Sequence, residues 1–472
     1  MFTFFRRASQ ALIVERGLQW LSERQGQLHP PNDDPVSLSS LKMNPSSFPP
    51  GPWPLPFLGN VFTEIDFRNV NKLAEVYGTI FSLRVGSEKM IIVSGYKMVK
   101  EALITHIDSF IERPNVPLFH KVFKGIGTIL SNGYLWRMHR KTHTYLSLQT
   151  GFLSWTFGDG ELLQQSGEEQ EDHLTSQLLS QTRPFNLMVT LNSAVSNIIS
   201  CLIFGQRFDY HNEYYQRILC LDTECVKLAG SPRAQLYNVC PRLLEYLPGP
   251  HQTREIIKHR EDWDPSNPRD FIDNYLTEME KVHDPEAGFN IEGLVISCLD
   301  MTEAGTETSA STLRWGLLFM IKYPEIQKKV QAEIDRVIGQ SRQPCLADRV
   351  DMPYTEAVIH EMQRLGDVVP LGFPKKIFLH DPNEWETPDT FNPGHFLNEN
   401  GQFRKRDAFL PFSAGNRACL GEQLARQVIF LFFTTLLQQF TVTKCPGEEP
   451  SLKGEIWFTN VPSPYRMCVS SR

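Results

Sequence analysis

The stretch Phe412-Ser413-Ala414-Gly415-Asn416-Arg417-Ala418-Cys419-Leu420-Gly421 decides how this 472-residue chain is read. It sets one cysteine in a glycine-hinged loop, and an apolar helical pattern over about 421–439 follows at once. A lone cysteine is most often a small buried hydrophobe, but this one has a different setting. Gly415 and Gly421 permit tight turns and close approach of another group to the backbone. Arg417 places a cation two residues away, and the helix that follows points its positive end back at the sulfur, which favours a thiolate. A thiolate with glycines on both sides and an arginine nearby suits an axial ligand to haem iron, with the arginine on a haem propionate.

Three further patterns lie outward from this loop. Ala304-Gly305-Thr306-Glu307-Thr308 sits deep inside a helical pattern over 291–322. Glycine and threonine are poor helix formers, so they suit a helix that opens locally to admit a ligand or water. A threonine hydroxyl beside a carboxylate can relay protons. The alternative is a kinked helix whose threonines bond back to their own backbone. Glu361 and Arg364 are spaced i,i+3, a pair that is ordinarily solvated and stabilises by about 0.2–0.5 kcal/mol. Their apolar neighbours point to burial instead. Trp136 and Arg140 share a helix face, and an indole N–H and a guanidinium both suit a carboxylate. Alone, Trp136 would read as core packing.

Composition narrows the class. The charge of -7 gives no global case for nucleic acid. The cysteines, nine in all, form no CxxC pair, which argues against structural zinc and a disulfide framework and fits a reducing compartment. The 31 phenylalanines suit the lining of a large apolar pocket, and equally a large core. The N-terminal MFTFFRRASQALIVERGLQWL does not reach the roughly 18 apolar residues that span a bilayer, and its arginines break up any secretory signal. It reads as a surface helix before a Pro/Ser-rich linker over 28–48, or as a weak transit peptide.

The run Pro49-Pro50-Gly51-Pro52-Trp53-Pro54-Leu55-Pro56 is too proline-rich for helix or central strand and marks the domain start. Residues 1–48 are expected to be a terminal segment without a clear membrane anchor, and 49–472 a single domain. A short helix over about 68–77 precedes two β runs, Ile80–Val85 and Met90–Ser94. Helical patterns then dominate, over about 186–204, 268–281, 291–322, 324–338, 353–365 and 421–439. Residues 160–182 are polar and acidic, a solvated helix or loop. The expected class is mainly α with a small β-sheet.

The cysteine loop, the AGTET helix, the ExxR pair and the Trp/Arg helix together resemble the cytochrome P-450 superfamily of haem-thiolate monooxygenases. FIERPN, LSNG, RPFN, FGQRFDY and LRWGLLFMIKYPEIQ are similar to the vertebrate microsomal family-two members, and the likeness runs from about Pro49 to the C-terminus. The resemblance implies a fold with haem b, iron protoporphyrin IX, between the AGTET helix and the cysteine-loop helix. It implies that Cys419 ligates the iron, that Phe412, Gly415, Arg417 and Gly421 shape the loop around the cofactor, and that Arg113, Trp136, Arg140 and Lys375 hold the propionates. Thr308 and Glu307 would manage protons during dioxygen activation, and Glu361, Arg364 and His395 would brace the loop. Phe119, Ala304, Val369 and Leu371 are expected pocket walls. The implied reaction inserts one oxygen atom from dioxygen into an apolar substrate such as a fatty acid, steroid or xenobiotic. Electrons would come from NADPH through NADPH–cytochrome P-450 reductase, with cytochrome b5 as a second partner. The reductase would dock on a basic set that includes Lys121, Lys124, Lys141 and Arg404–Arg406. The implied place is the cytosolic face of the endoplasmic reticulum membrane, held peripherally at the membrane surface, with a mitochondrial alternative.

Three departures stand out. The usual anchor helix is absent, and residues 142–181 leave the family pattern. Lys375-Lys376 also leads almost directly to His380-Asp381-Pro382, where family members carry two more strands of the main sheet. A strand pair missing near 376–380 would leave its neighbours with unpaired backbone groups. Glu303 stands where relatives more often place an apolar residue. Two rival readings follow: a haem-poor truncated isoform that acts by binding, and a lipid-peroxide isomerase or lyase that needs no reductase.

Overall fold

The structure, a computed structural model, describes residues 49–55, 59–60, 67–85, 88–114, 116, 119–120, 123–149, 185–229, 270–282, 284–369, 379–456 and 459–472. The expectations for 1–48, 160–182, Lys121, Leu371 and Lys375 lie outside the described residues.

One long helix organises the described core: α7, Ile291–Lys322. Asn290 starts it by accepting from the Gly293 N–H at 2.8 Å. Nearly every residue from Ser309 to Ile321 is buried, so the helix is wrapped on all sides. Numbered in chain order, its neighbours are α4 (Met188–Phe204), α8 (Pro324–Val337), α9 (Pro353–Gly366) and α10 (Glu422–Gln439). Proline opens both α8 and α9, where its missing N–H costs nothing. The remaining helices are α1 (Phe67–Tyr77), α2 (Tyr96–Lys100), α3 (Gly133–Gln149), α5 (Glu213–Ala229) and α6 (Phe271–Lys281).

The described strands form three antiparallel pairs. β1 (Ile80–Val85) pairs with β2 (Glu88–Val93), Ile80 opposite Val93. β3 (Phe440–Lys444) pairs with β6 (Met467–Ser471), and β4 (Gly454–Ile456) with β5 (Asn460–Pro462). The chain is thus mainly α with small sheets, and the described residues 49–472 form one compact unit.

One of the two readings of AGTET is not what the structure shows. The AGTET segment does not open: α7 is continuous α-helix through Ala304–Thr308. Gly305 has a different reason, since a Cβ there would stand 2.6 Å from Cδ1 of Ile199 on α4. Glycine lets the two helices pack closely. The outer edge of β1 is paired. Ser82 donates its N–H to Pro50 O at 2.8 Å, Arg84 donates to Asn60 Oδ1 at 2.8 Å, and Asn60 N–H donates back to Arg84 O at 2.5 Å. The proline-rich segment takes the place of a strand on that edge. It fits closely, because a Cβ on Gly51 would meet Ser82 O at 2.0 Å.

Candidate functional site

Cys419 comes at the end of a tight loop. Its N–H donates to Phe412 O at 2.9 Å, and Ala418 N–H donates to Gly415 O at 3.0 Å. Gly415 has φ 76°, and a side chain there would run into Leu103 O at 2.4 Å. Ser413 also takes a left-handed φ of 68°. Gly421 caps α10 without a side chain, and a Cβ on it would meet nothing within 4 Å. The sulfur is surface-accessible, yet it lies deep enough for burial to be the main force raising its thiol pKa. The Gly421 N–H and the Arg140 charge oppose that rise.

The stabilising cation beside the sulfur is therefore Arg140 on α3, and the assignment of that electrostatic role to Arg417 is corrected. Arg140 reaches the loop by donating from Nη2 to Ala418 O at 2.7 Å. Arg417 turns the other way. It donates to Ile111 O at 2.9 Å, Thr128 O at 3.2 Å and Ser131 O at 2.7 Å, and its guanidinium stacks 3.9 Å above the Trp136 ring. Arg113 donates from Nε to Ile129 O at 3.2 Å.

These three guanidiniums form a cluster. Arg113 is pushed down to about 10, chiefly by burial and then by Arg140. Arg417 is pushed down to about 9 by burial and then by Arg113, with Arg140 adding to it. Among the described residues the Trp136 indole N–H, buried beside them, has no hydrogen-bond partner. Converging cations and a spare donor are a receptor for carboxylates. A metal-bound macrocycle with acidic side arms fits a site that also offers a sulfur ligand, so the residues present fit haem.

On α7, Ala304 is exposed and Thr308 half-buried, although both lie in the middle of a core helix. At i,i+4 they share one face, and that face is accessible. Thr308 Oγ1 donates to Ala304 O at 2.7 Å, the back-bonding of the alternative reading. Glu307 is buried and accepts from Ser311 at 2.9 Å and from Thr459 at 3.4 Å, while its Oε2 has no partner among the described residues. Burial raises its carboxyl pKa against the opposing Ser311 hydrogen bond and Arg314 charge. Phe119 packs with Phe123, Ile296 and Leu299 against the same helix, and Val369 packs on the main core.

The Glu361–Arg364 pair is wholly buried. Two hydrogen bonds of 2.7 and 2.8 Å make it bidentate. Arg364 also donates to Leu379 O at 2.8 Å and Pro388 O at 2.7 Å, and His395 Nδ1 lies 3.2 Å from the carboxylate. The group ties α9 to the segment leading into the cysteine loop.

Sequence reasoning missed Asp300, one turn before Ala304. Its fully buried carboxylate accepts from the N–H of Thr128 at 2.6 Å and of Ile129 at 3.1 Å. These are residues of the loop whose carbonyls hold Arg113 and Arg417, so Asp300 fixes that loop to α7. An acidic residue in an otherwise apolar helical pattern was the available signal.

A family profile described as cytochrome P-450 matches residues 49–378 and 377–469. The chain is 45% identical to cytochrome P-450 2J2 of Homo sapiens, with 91% of this chain and 92% of that protein covered. It is 43% identical to cytochrome P-450 2J5 of Mus musculus with the same coverage. It is 39% identical to cytochrome P-450 2B4 of Oryctolagus cuniculus, with 90% and 94% covered.

Proposed function

Because the chain belongs to the cytochrome P-450 family and is a haem-thiolate monooxygenase with haem iron as cofactor, we propose that Cys419 is its axial ligand and haem b its prosthetic group. The observation that carries this reading is an accessible yet deep sulfur held one residue from a carbonyl that Arg140 grips. Haem supplies the oxidising chemistry when bound. The chain's own residues hold, orient and protonate. Arg113, Arg140 and Trp136 take the propionates, and Arg417 braces the loop beside them. Phe412, Gly415 and Gly421 shape the loop at the sulfur. Glu361, Arg364 and His395 keep that loop in place.

Thr308 handles protons with its hydroxyl, and Glu307, whose carboxyl pKa is raised by burial, stands behind it as their supply. Ala304, Phe119 and Val369 line an apolar substrate pocket, which suits a fatty acid, steroid or xenobiotic. Electrons come from NADPH through a separate reductase docked on a basic surface that includes Lys124, Lys141 and Arg404–Arg406, with cytochrome b5 as a second donor. Among the described residues no helix is long and apolar enough to cross a membrane. The proposed place is the endoplasmic reticulum, with the domain lying on the membrane surface. The isomerase and non-catalytic readings are not favoured by the comparisons.

The test is the spectrum of the reduced carbon monoxide complex. The unmodified chain should show the red-shifted thiolate band, and Cys419→Ala should lose it. Replacing Cys298 should leave it unchanged. A Cys419→Ala protein that keeps the band overturns the assignment.

A further inference from the structure

A diagonal pair of cysteines closes the C-terminal sheet. In the β3–β6 ladder Thr443 stands opposite Cys468 and Lys444 opposite Met467. Cys445 follows Lys444, so it falls on the same face as Cys468, one step along. Diagonal neighbours on a regular ladder are about 7–8 Å apart, yet these two sulfurs are 3.3 Å apart. The ladder ends at Lys444, and the buried Cys445 beyond it reaches Cys468 through its side chain.

The two thiols differ in access: Cys445 is buried and Cys468 half-buried. Arg466, hydrogen-bonded to Glu448, lies near enough to sense both sulfurs and supplies the local cation. Closing a bond requires the sulfurs to move only from 3.3 Å to about 2.05 Å.

The segment between them is functional. It contains the β4–β5 hairpin and Thr459, whose hydroxyl donates to Glu307. Trp315 Nε1 donates to Asn460 O at 3.0 Å, and Asn460 Nδ2 donates to Gly366 O at 2.8 Å. Every contact that seats this hairpin on α7 and α9 lies inside the loop that a Cys445–Cys468 bond would close.

We propose that Cys445 and Cys468 form a peroxide-responsive dithiol whose closure to a disulfide tethers the hairpin that carries Thr459 against Glu307. Hydrogen peroxide is the oxidant. The Cys468 thiolate attacks one peroxide oxygen, the O–O bond breaks, and the departing hydroxide takes a proton and leaves as water. Cys445 sulfur then attacks the resulting sulfenic sulfur. The S–O bond breaks, and the second hydroxide leaves with the Cys445 proton as water. Two thiols are oxidised by two electrons in all, and one peroxide is reduced to two waters. A reducing compartment returns the pair to thiols, so the bond is a transient one. Closing the loop restricts the excursions open to the hairpin.

The chemistry of the pair stands apart from the monooxygenase reading, whereas its consequence for Glu307 rests on it. The experiment therefore reads the bond without turnover. The full chain with its haem is exposed to graded hydrogen peroxide, alkylated, and mapped as non-reduced peptides. A peptide linking Cys445 to Cys468 should appear first, vanish with dithiothreitol, and be absent from both Cys445→Ser and Cys468→Ser. Amide exchange across 454–462 should slow several-fold in the oxidised wild-type chain and stay unchanged in the peroxide-treated variants. Full alkylation of both thiols at peroxide doses that oxidise glutathione overturns the dithiol. A linked peptide without slower exchange overturns the tether. Neither result bears on the spectrum of the carbon monoxide complex, so failure here is distinct from failure of the proposed function.

Discussion

Arg140 on α3 donates to the carbonyl of Ala418, the residue before Cys419, at 2.7 Å across 278 positions of sequence. One guanidinium thereby fixes the loop's backbone and lowers the cost of charge on its sulfur. The charge falls inside a buried cluster with Arg113 and Arg417, where guanidiniums push down one another's protonation.

Arg140→Ala should therefore do two things at once. A hydrogen bond from a charged donor stabilises by about 1.5–3 kcal/mol, so the loop should loosen and haem content should fall. The Cys419 thiol should also titrate higher, and in the reduced carbon monoxide complex a fraction of the molecules should show the unshifted band of a protonated sulfur. Arg140→Lys should recover the charge but not the reach. A variant with full haem content and an unchanged spectrum would place the loop's support elsewhere.

The buried Glu361–Arg364 pair predicts a purely structural phenotype. Breaking a wholly buried ion pair by removing one partner costs about 3–5 kcal/mol. Arg364 also satisfies the carbonyls of Leu379, Pro388 and Thr390. Arg364→Leu and Glu361→Gln should both give chain that melts far lower and retains little haem. Any molecules that do retain haem should show the wild-type band position. A shifted band in those molecules would mean that the pair acts on the sulfur directly.

Thr308→Ala should separate chemistry from stability. The hydroxyl's hydrogen bond is local, to Ala304 O one turn back, and its loss leaves no long-range partner stranded. Stability should change within about 0.5 kcal/mol. If the hydroxyl also handles protons, the ratio of product to NADPH consumed should drop several-fold, with hydrogen peroxide making up the difference. An unchanged ratio would reduce Thr308 to its back-bonding role.

The pH profile of stability should be set by groups that the motifs do not contain. Asp300 is pushed up to about 7, chiefly by burial, with the N–H groups of Thr128 and Ile129 opposing. Its ordinary value is 3.8, so between about 4 and 7 the folded chain holds a proton that the unfolded chain has released. Asp300 therefore takes stability away as pH rises through that window. His143 runs the other way, pushed down from 6.5 to about 3 by burial first and then by His139 and Arg140. His360 is pushed down to about 4, again chiefly by burial. Below about 6.5 the unfolded histidines bind protons that the folded ones refuse, so stability falls as pH drops. Melting temperatures of Asp300→Asn and wild type should diverge in favour of the variant from about pH 5 to about pH 7.5. A constant offset across that range would refute the assigned titration.

The sequence made the chemistry legible and left much of its support hidden. The cysteine loop, the AGTET segment and the helix boundaries of α7 to α10 follow from glycine placement, proline starts and apolar periodicity. Those are local signals. The hidden features are contacts between distant segments: Arg140 with Ala418, Asp300 with the loop at Thr128, and Gly305 against Ile199. No periodicity encodes which helix will face a glycine, so Gly305 suggested a local opening or kink in α7 when it is a point of close packing. Arg417 was misassigned for the same reason. Two residues in sequence suggested nearness to the sulfur, but its side chain turns to Ile111, Thr128 and Ser131.

The junction after Lys376 carries the last prediction. The family profile matches in two pieces that meet at 377–378, where the sequence reading misses two strands. The alignment to cytochrome P-450 2J2 runs over 471 positions yet covers 91% of this chain, so it contains positions for which the chain supplies no residue. The β1 edge is covered by the N-terminal part of the domain, by Pro50 of the proline-rich run and by Asn60 after it. That cover should now be essential. Each buried backbone group left unpaired costs about 1–3 kcal/mol, so Asn60→Ala, which strips the acceptor from the Arg84 N–H, should lower the melting temperature by several degrees. Gly51→Val should be worse, because its Cβ would collide with Ser82 O. Inserting a relative's strand pair after Lys376 should make the sheet less dependent on this cover. In that background the loss from Asn60→Ala should shrink and haem per protein should rise. Equal losses in both backgrounds would mean that the segment does not stand in for the missing strands.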